Sequence, residues 1–264
     1  MKVLLKSVCN WKATLALLFA WGEVWCGVAP SWANGERLDY DIRYGFVTAG
    51  EASLITRAGP DSLSMQFLTL AQNNGFFESV YPVKDTIRTV VRRGTYLPLS
   101  FKKITNEGGF HSRSLILFDR LAGRALVSDS VLTEKGRIKY KFDTTVSLGA
   151  DFHCIISAFY KVRSMPLLPG TDLHLSAISG KKKYKMRVIV HGRETVTVSA
   201  GTFKCLVVEP VIEGDGLFQA KGSLRIWLTD DYLRLPVLMK SKISVGSIRA
   251  ELRSWSQAAL VLPP

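Results

Sequence analysis

The sequence predicts an all-β fold with one main helix: a single antiparallel, strongly curved sheet or open β-barrel, with the helix packed on the concave face. Three observations predict it. Apolar and polar residues alternate at period two in one run after another, the repeat of a strand with one buried face. Glycine-centred turn signals separate these runs at short intervals, as in a meander that curls on itself. Only one long segment carries helical spacing instead.

The first strand reads from Leu38, Tyr40, Ile42 and Tyr44 on one face and Asp39, Asp41 and Arg43 on the other. Gly45 and Gly50 flank its turn and mark bends. The alternation returns at Leu63, Met65 and Phe67. It returns again at Tyr184, Met186, Val188 and Val190 against Lys183, Lys185 and Arg187. Two late strands follow, Leu224, Ile226, Leu228 and then Ile248, Ala250, Leu252. One wet, charged face and one apolar face is the habit of antiparallel sheets. The turns between runs fall at Gly59-Pro60, Arg93-Gly94, Gly108-Gly109, Ala122-Gly123, Lys135-Gly136, Ala200-Gly201 and Asp230-Asp231.

The helix is expected over Asp151 to Arg163. Ile155, Ile156, Phe159 and Val162 share one face, Asp151 supplies an acidic start and Pro166 a stop. Its apolar face has to pack on something, and the concave side of the sheet is the available surface. A shorter helical turn is expected at Asn74 to Ser79. The Pro166–Gly170 stretch reads as a loop within one domain.

Residues 1–33 have the layout of a secretory signal peptide. Lys2, Lys6 and Lys12 form a basic start, Ala13 to Trp21 an apolar run, and Ser31-Trp32-Ala33 spaces two small residues as a signal peptidase requires. The apolar run is too short to span a membrane. Cleavage is expected after Ala33, because Pro30 obstructs a cut after Ala29, and Trp25 before Cys26 departs from a lipid-attachment signal. Residues 34–264 then form a single β-barrel-like domain in the periplasm, with no transmembrane segment. Losing three lysines and one glutamate lowers the formal charge from +13 to +11. So basic an exported protein suits anionic envelope partners better than nucleic acid, which that compartment lacks.

Cys154 and Cys205 remain after the leader goes, one candidate disulfide, with a buried free pair as the alternative. The motifs of catalysis are missing. Ser199 lacks the first glycine of a nucleophile elbow, and Ser100-Phe101-Lys102-Lys103 lies in a strand-like run. His111, His153, His174 and His191 are scattered, with none of the spacings a metal site uses. Asp230-Asp231 reads as a turn. The expectation is therefore a protein that is not an enzyme and takes no cofactor or metal. The candidate ligand-binding residues are the aromatics Phe76, Phe77, Phe110, Phe159 and Tyr160 beside the helix, with Lys181, Lys182 and Lys183 as a basic rim for an anionic head group.

Several phrases resemble a known family. They are Gly35 to Gly45 with Ala49-Gly50-Glu51-Ala52, then Asn74-Gly75-Phe76-Phe77, Asn106-Glu107-Gly108-Gly109 and Ser157-Ala158-Phe159-Tyr160. Ala200 to Cys205, Gly222 to Asp231 and Pro236 to Lys242 complete the series, in order, over nearly the whole mature chain. Together they resemble the bacterial domain-of-unknown-function family 3108. The resemblance implies an exported, mostly β envelope protein and supplies no catalytic residues. The plan is also similar to the periplasmic lipoprotein-carrier fold, an architectural analogy alone. The functional expectation is a periplasmic binding or carrier module for a lipid or other amphipathic envelope component. The alternatives are an assembly factor that binds an envelope protein or glycan and, behind it, an enzyme acting on envelope polymers.

Overall fold

A computed structural model describes Trp32 and residues 35–213, 224–242 and 246–257. The signal-peptide reading falls, Trp32 apart, outside the described residues. The alternating segments do form strands. The first half runs β1 (Glu36–Tyr44), β2 (Val47–Ala58), β3 (Ser64–Asn73), α1 (Gly75–Val80), β4 (Lys84–Arg92), β5 (Pro98–Glu107), β6 (Phe110–Asp119), β7 (Arg124–Leu132) and β8 (Ile138–Ser147). The second half runs β9 (Phe152–His153), α2 (Ile155–Arg163), β10 (Asp172–Ser179), β11 (Lys182–Val198), β12 (Gly201–Glu213), β13 (Leu224–Thr229), β14 (Pro236–Lys242) and β15 (Ser247–Gln257).

All the strands join one sheet in the order β8-β7-β6-β5-β4-β3-β2-β1-β15-β14-β13-β12-β11-β10-β9. The first and last strands pair in its middle, Tyr40 opposite Leu252. Every neighbouring pair is antiparallel except β9 and β10. The two edges are not hydrogen-bonded to each other, so the sheet is open. Side chains bring them together nevertheless: Ile178 of β10 packs with Ile116, Val127 and Leu148 from the opposite side.

Two glycines explain the bend beside β1. Gly45 has φ +57°, which the tight β1–β2 turn needs and a side chain disfavours. A Cβ on Gly50 would lie 2.3 Å from the Gln72 carbonyl oxygen, so only glycine lets β2 approach β3 there. The β1–β2 register shifts at Ile42/Arg43, opposite this point, the mark of a bulge that curls the sheet.

Four apolar clusters line the concavity, and α2 contributes to all of them. Ala158 and Val162 pack on β11–β13, while Phe159 reaches the cluster around Leu38, Tyr40 and Leu252. Cys154 and Ile156 meet β5–β7, and Tyr160 joins Met65, Phe67 and Val91. The concave-face packing expected of the helix is therefore present. Its boundaries and its buried face differ from expectation. Phe152 and His153 pair in parallel with Ser176 and Ala177, so the helix begins at Ile155, not Asp151. Cys154 caps it, its N–H donating to Ser157 Oγ at 3.0 Å. Ile155 is half exposed, whereas Tyr160 and Arg163 are buried with Val162. The helix lies inside a concavity rather than on a flat face, so more than one of its sides is covered. The short helix α1 begins one residue later than expected and buries none of its residues.

Candidate functional site

Beside α2 the structure leaves a cleft of about 740 Å³. Its walls are the β4–β5 turn, the β9–α2 corner, the end of α2 and the β10–β11 hairpin. Leu97, Met165, Leu175 and Met186 give it apolar surface. Lys161 and Lys185 give it positive charge that Asp151 only partly offsets, and His153 and His174 add two imidazoles. His153 is buried, with Nδ1 3.2 Å from Ser157 Oγ. Burial, followed by the nearby positive charges of Arg120 and Lys161, pushes its pKa down to about 4, so it is neutral at pH 7. Ser157 is itself fully buried, and its hydroxyl already donates to the Cys154 carbonyl. That hydroxyl serves the helix cap. Lys161 is half-buried, while His174 and Lys185 are exposed at the cleft margin.

The residues singled out in the sequence fall in separate places. Phe76 and Phe77 form an edge-to-face pair on α1, their ring centroids 5.9 Å apart, with Phe76 largely exposed. Phe110 opens β6 and lines a shallow depression of about 610 Å³ with Leu132, Glu134, Lys135 and Arg137 of the β7–β8 turn. Tyr160 is a core residue, stacked on Phe67 at 3.7 Å with the planes 2° apart. Phe159 is half-buried and meets Tyr160 edge-on. Lys181, Lys182 and Lys183 are exposed at the β10–β11 turn, along the open seam of the sheet. Lys181 lies over the Phe142 ring at 4.9 Å, and Lys183 Nζ donates to the Ser147 carbonyl of β8 at 3.3 Å.

Cys154 and Cys205 are free thiols rather than a bridged pair. Each is buried, but in a different cluster: Cys154 with Ile116 and Ile178, Cys205 with Val207 and Val237. Burial raises both thiols, Cys205 to about 12. Asp230 and Asp231 do lie in a turn. Asp230 pairs with Arg193 and Arg234, and Asp231 accepts the backbone N–H groups of Leu233 and Arg234. Among the described residues, no group of three or more His, Cys, Asp or Glu side chains converges as metal ligands would.

Sequence reasoning missed the cleft residues, because His153, Lys161, His174 and Lys185 come from four elements and share no motif. It also missed the ion pair of Glu36 with Arg163. A signal for that pair existed. Glu36 shares the strand phase of Leu38 and Tyr40, which places a carboxylate on the apolar face.

Comparison with known proteins gives a family and a fold. The family profile described as "Protein of unknown function (DUF3108)" matches residues 39–253. A β-barrel-like protein of the domain of unknown function DUF1849 from Brucella abortus superposes with a TM-score of 0.54 at 9% identity, over 85% of this chain and 98% of that one. A candidate lipoprotein from Parabacteroides distasonis aligns at a TM-score of 0.37 and 12% identity, over 84% and 95% of the two chains. A search of curated proteins finds no match.

Proposed function

The chain belongs to the DUF3108 family, and from that premise we propose that it is an exported, non-enzymatic binding module for an anionic amphipathic molecule of the cell envelope. The observation that carries this reading is the cleft beside α2. Its volume lies in the range of small-molecule sites, roughly 300–1,000 Å³. It combines apolar walls with two lysines, so an apolar chain can shelter against Met165, Leu175 and Met186 while an acidic head meets Lys161 and Lys185. The leader-like residues 1–33 and the basic charge support an envelope location. The cleft replaces the aromatic patch that the sequence suggested, since Phe76, Phe77 and Phe110 lie elsewhere and Tyr160 is packed in the core.

The test is equilibrium titration of delipidated protein with a fluorescent fatty acid. Saturable binding is expected, weakened by the double substitution Lys161→Gln/Lys185→Gln, with the difference growing at low salt. The same change at Lys181–Lys183 should matter less, because those lysines lie outside the cleft. An absence of saturable binding sinks the reading.

A further inference from the structure

Trp32 is the one residue of the leader-like segment that the structure describes, and it is 1% exposed. Its indole fills a seat made by Met65 and Phe67 of β3, Val91 of β4, Tyr96 of the β4–β5 turn and Tyr160 of α2. Ring centroids lie 6.4 Å away at Tyr96 and 6.1 Å away at Tyr160. The Arg163 guanidinium sits 4.2 Å from the indole centroid, a cation–π contact in a desolvated setting. The backbone is held too. The Trp32 carbonyl accepts the Thr56 hydroxyl at 2.8 Å and the Gly35 N–H at 3.2 Å. Thr56 is buried, and its oxygen in turn accepts the Glu36 N–H at 2.7 Å.

The leader cut expected from the sequence falls after Ala33, one residue beyond this anchored side chain. A cut there removes the indole and leaves the walls of its seat in place. Arg163 stays fixed by Glu36 and by the carbonyls of Leu233 and Arg234, none of which depends on Trp32. Phe67 and Tyr160 stay stacked on each other. The result is a preorganised aromatic pocket with a cation on one wall and, at its mouth, a hydroxyl that has lost its acceptor.

We propose that leader removal after Ala33 opens this seat, and that its occupant in the mature protein is a tryptophan-bearing peptide segment of a partner protein. The chemistry on both sides selects that occupant. An indole matches the cation–π wall, and a backbone carbonyl matches the Thr56 donor, so a free aromatic molecule satisfies only half of the site. Tryptophan is also among the side chains enriched at the desolvated hot spots of protein interfaces. The seat is a different place from the basic cleft, since none of its apolar lining residues lines that cleft. The two readings therefore stand or fall separately.

The experiment starts with intact mass and N-terminal sequencing of the exported protein, with Asn34 expected as the first residue. That protein is then titrated with a labelled, amidated peptide of residues 28–33, VAPSWA, the stretch of this sequence that carries Trp32. Saturable one-to-one binding is expected, and the Trp32→Ala peptide should bind at least about tenfold more weakly. The full-length precursor carrying Ala33→Arg blocks the cut, keeps Trp32 in its seat and should not bind the peptide. Free indole is the comparison for a small-molecule occupant: if it binds as tightly as the peptide, the carbonyl contact is irrelevant and the peptide assignment is overturned. An exported protein that begins at or before Trp32 also overturns the proposal, because Trp32 is then a permanent core residue. So does an Asn34 form that ignores the peptide.

Discussion

Glu36 and Arg163 are 127 positions apart and meet through two hydrogen bonds of 2.8 Å, with both side chains wholly buried. The guanidinium also donates to the carbonyls of Arg234 and Leu233. One side chain of α2 thus ties the helix to the first strand and to the β13–β14 turn. Burial opposes the Arg163 charge, but Glu36 outweighs it and holds the guanidinium above its ordinary range. Removing one partner of such a pair strands a charge in the core and typically costs about 3–5 kcal/mol. Glu36→Gln should therefore lower stability by that order in urea denaturation. The double change Glu36→Leu/Arg163→Met should recover much of the loss, because neither charge then remains. A double variant as unstable as the sum of its singles contradicts this account.

Tyr160 and Phe159 are neighbours on α2 with unlike burial, and their truncations should separate accordingly. Tyr160 is 1% exposed and stacked face to face on Phe67. Tyr160→Ala should cost about 3–5 kcal/mol, the scale of a buried aromatic truncation. Phe159 is only half-buried, so Phe159→Ala should cost less, roughly half as much. Equal midpoints in chemical denaturation for the two variants count against the packing described.

The strands were legible in the sequence because period-two alternation is a local signal. Met186, Val188 and Val190 share one phase, and all three are buried. The pairing of β1 with β15 was not legible, since nothing local tells the first strand that the last one lies beside it. The helix was found, but β9 was absorbed into it. Two residues carry no periodicity, and only the parallel contact with Ser176 and Ala177 defines that strand. The candidate aromatics fall in separate places for a related reason. Phe76 and Phe77 lie on α1, Phe110 beside the β7–β8 turn and Tyr160 in the core, and aromatic content alone does not distinguish core from cavity wall. Lys161, His174 and Lys185 meet only because β10 and β11 fold back beside α2.

The thiols give a direct chemical check. Cys154 and Cys205 are buried, free and raised in pKa by that burial, so each is shielded and mostly protonated at neutral pH. The folded protein should react slowly with a thiol reagent at pH 8, and unfolding in urea without reductant should expose two reactive thiols in protein purified from its own compartment. Reductant should leave the melting temperature unchanged. Finding no titratable thiol in the unfolded, unreduced protein refutes the free pair.

His153 should make the protein acid-sensitive in a defined window. Its imidazole is held neutral by burial and by the charges of Arg120 and Lys161, with Asp151 opposing them, at a pKa of about 4 in place of 6.5. The unfolded chain takes up the proton more readily than the folded one. Stability from this group is therefore complete above pH 6.5 and is lost progressively as pH falls from 6.5 to 4. A shift of that size corresponds to roughly 3 kcal/mol across the window. Carboxylates titrate over part of the same range, so the comparison that isolates His153 is His153→Gln. The substitution should lower stability at pH 7.5 through lost packing, yet its stability should decline less than the wild type's between pH 6.5 and 4. Urea midpoints at half-unit pH steps would show the two curves converging toward acid. Parallel curves would mean that His153 is not buried in its neutral form and that the β9–α2 corner is open to water.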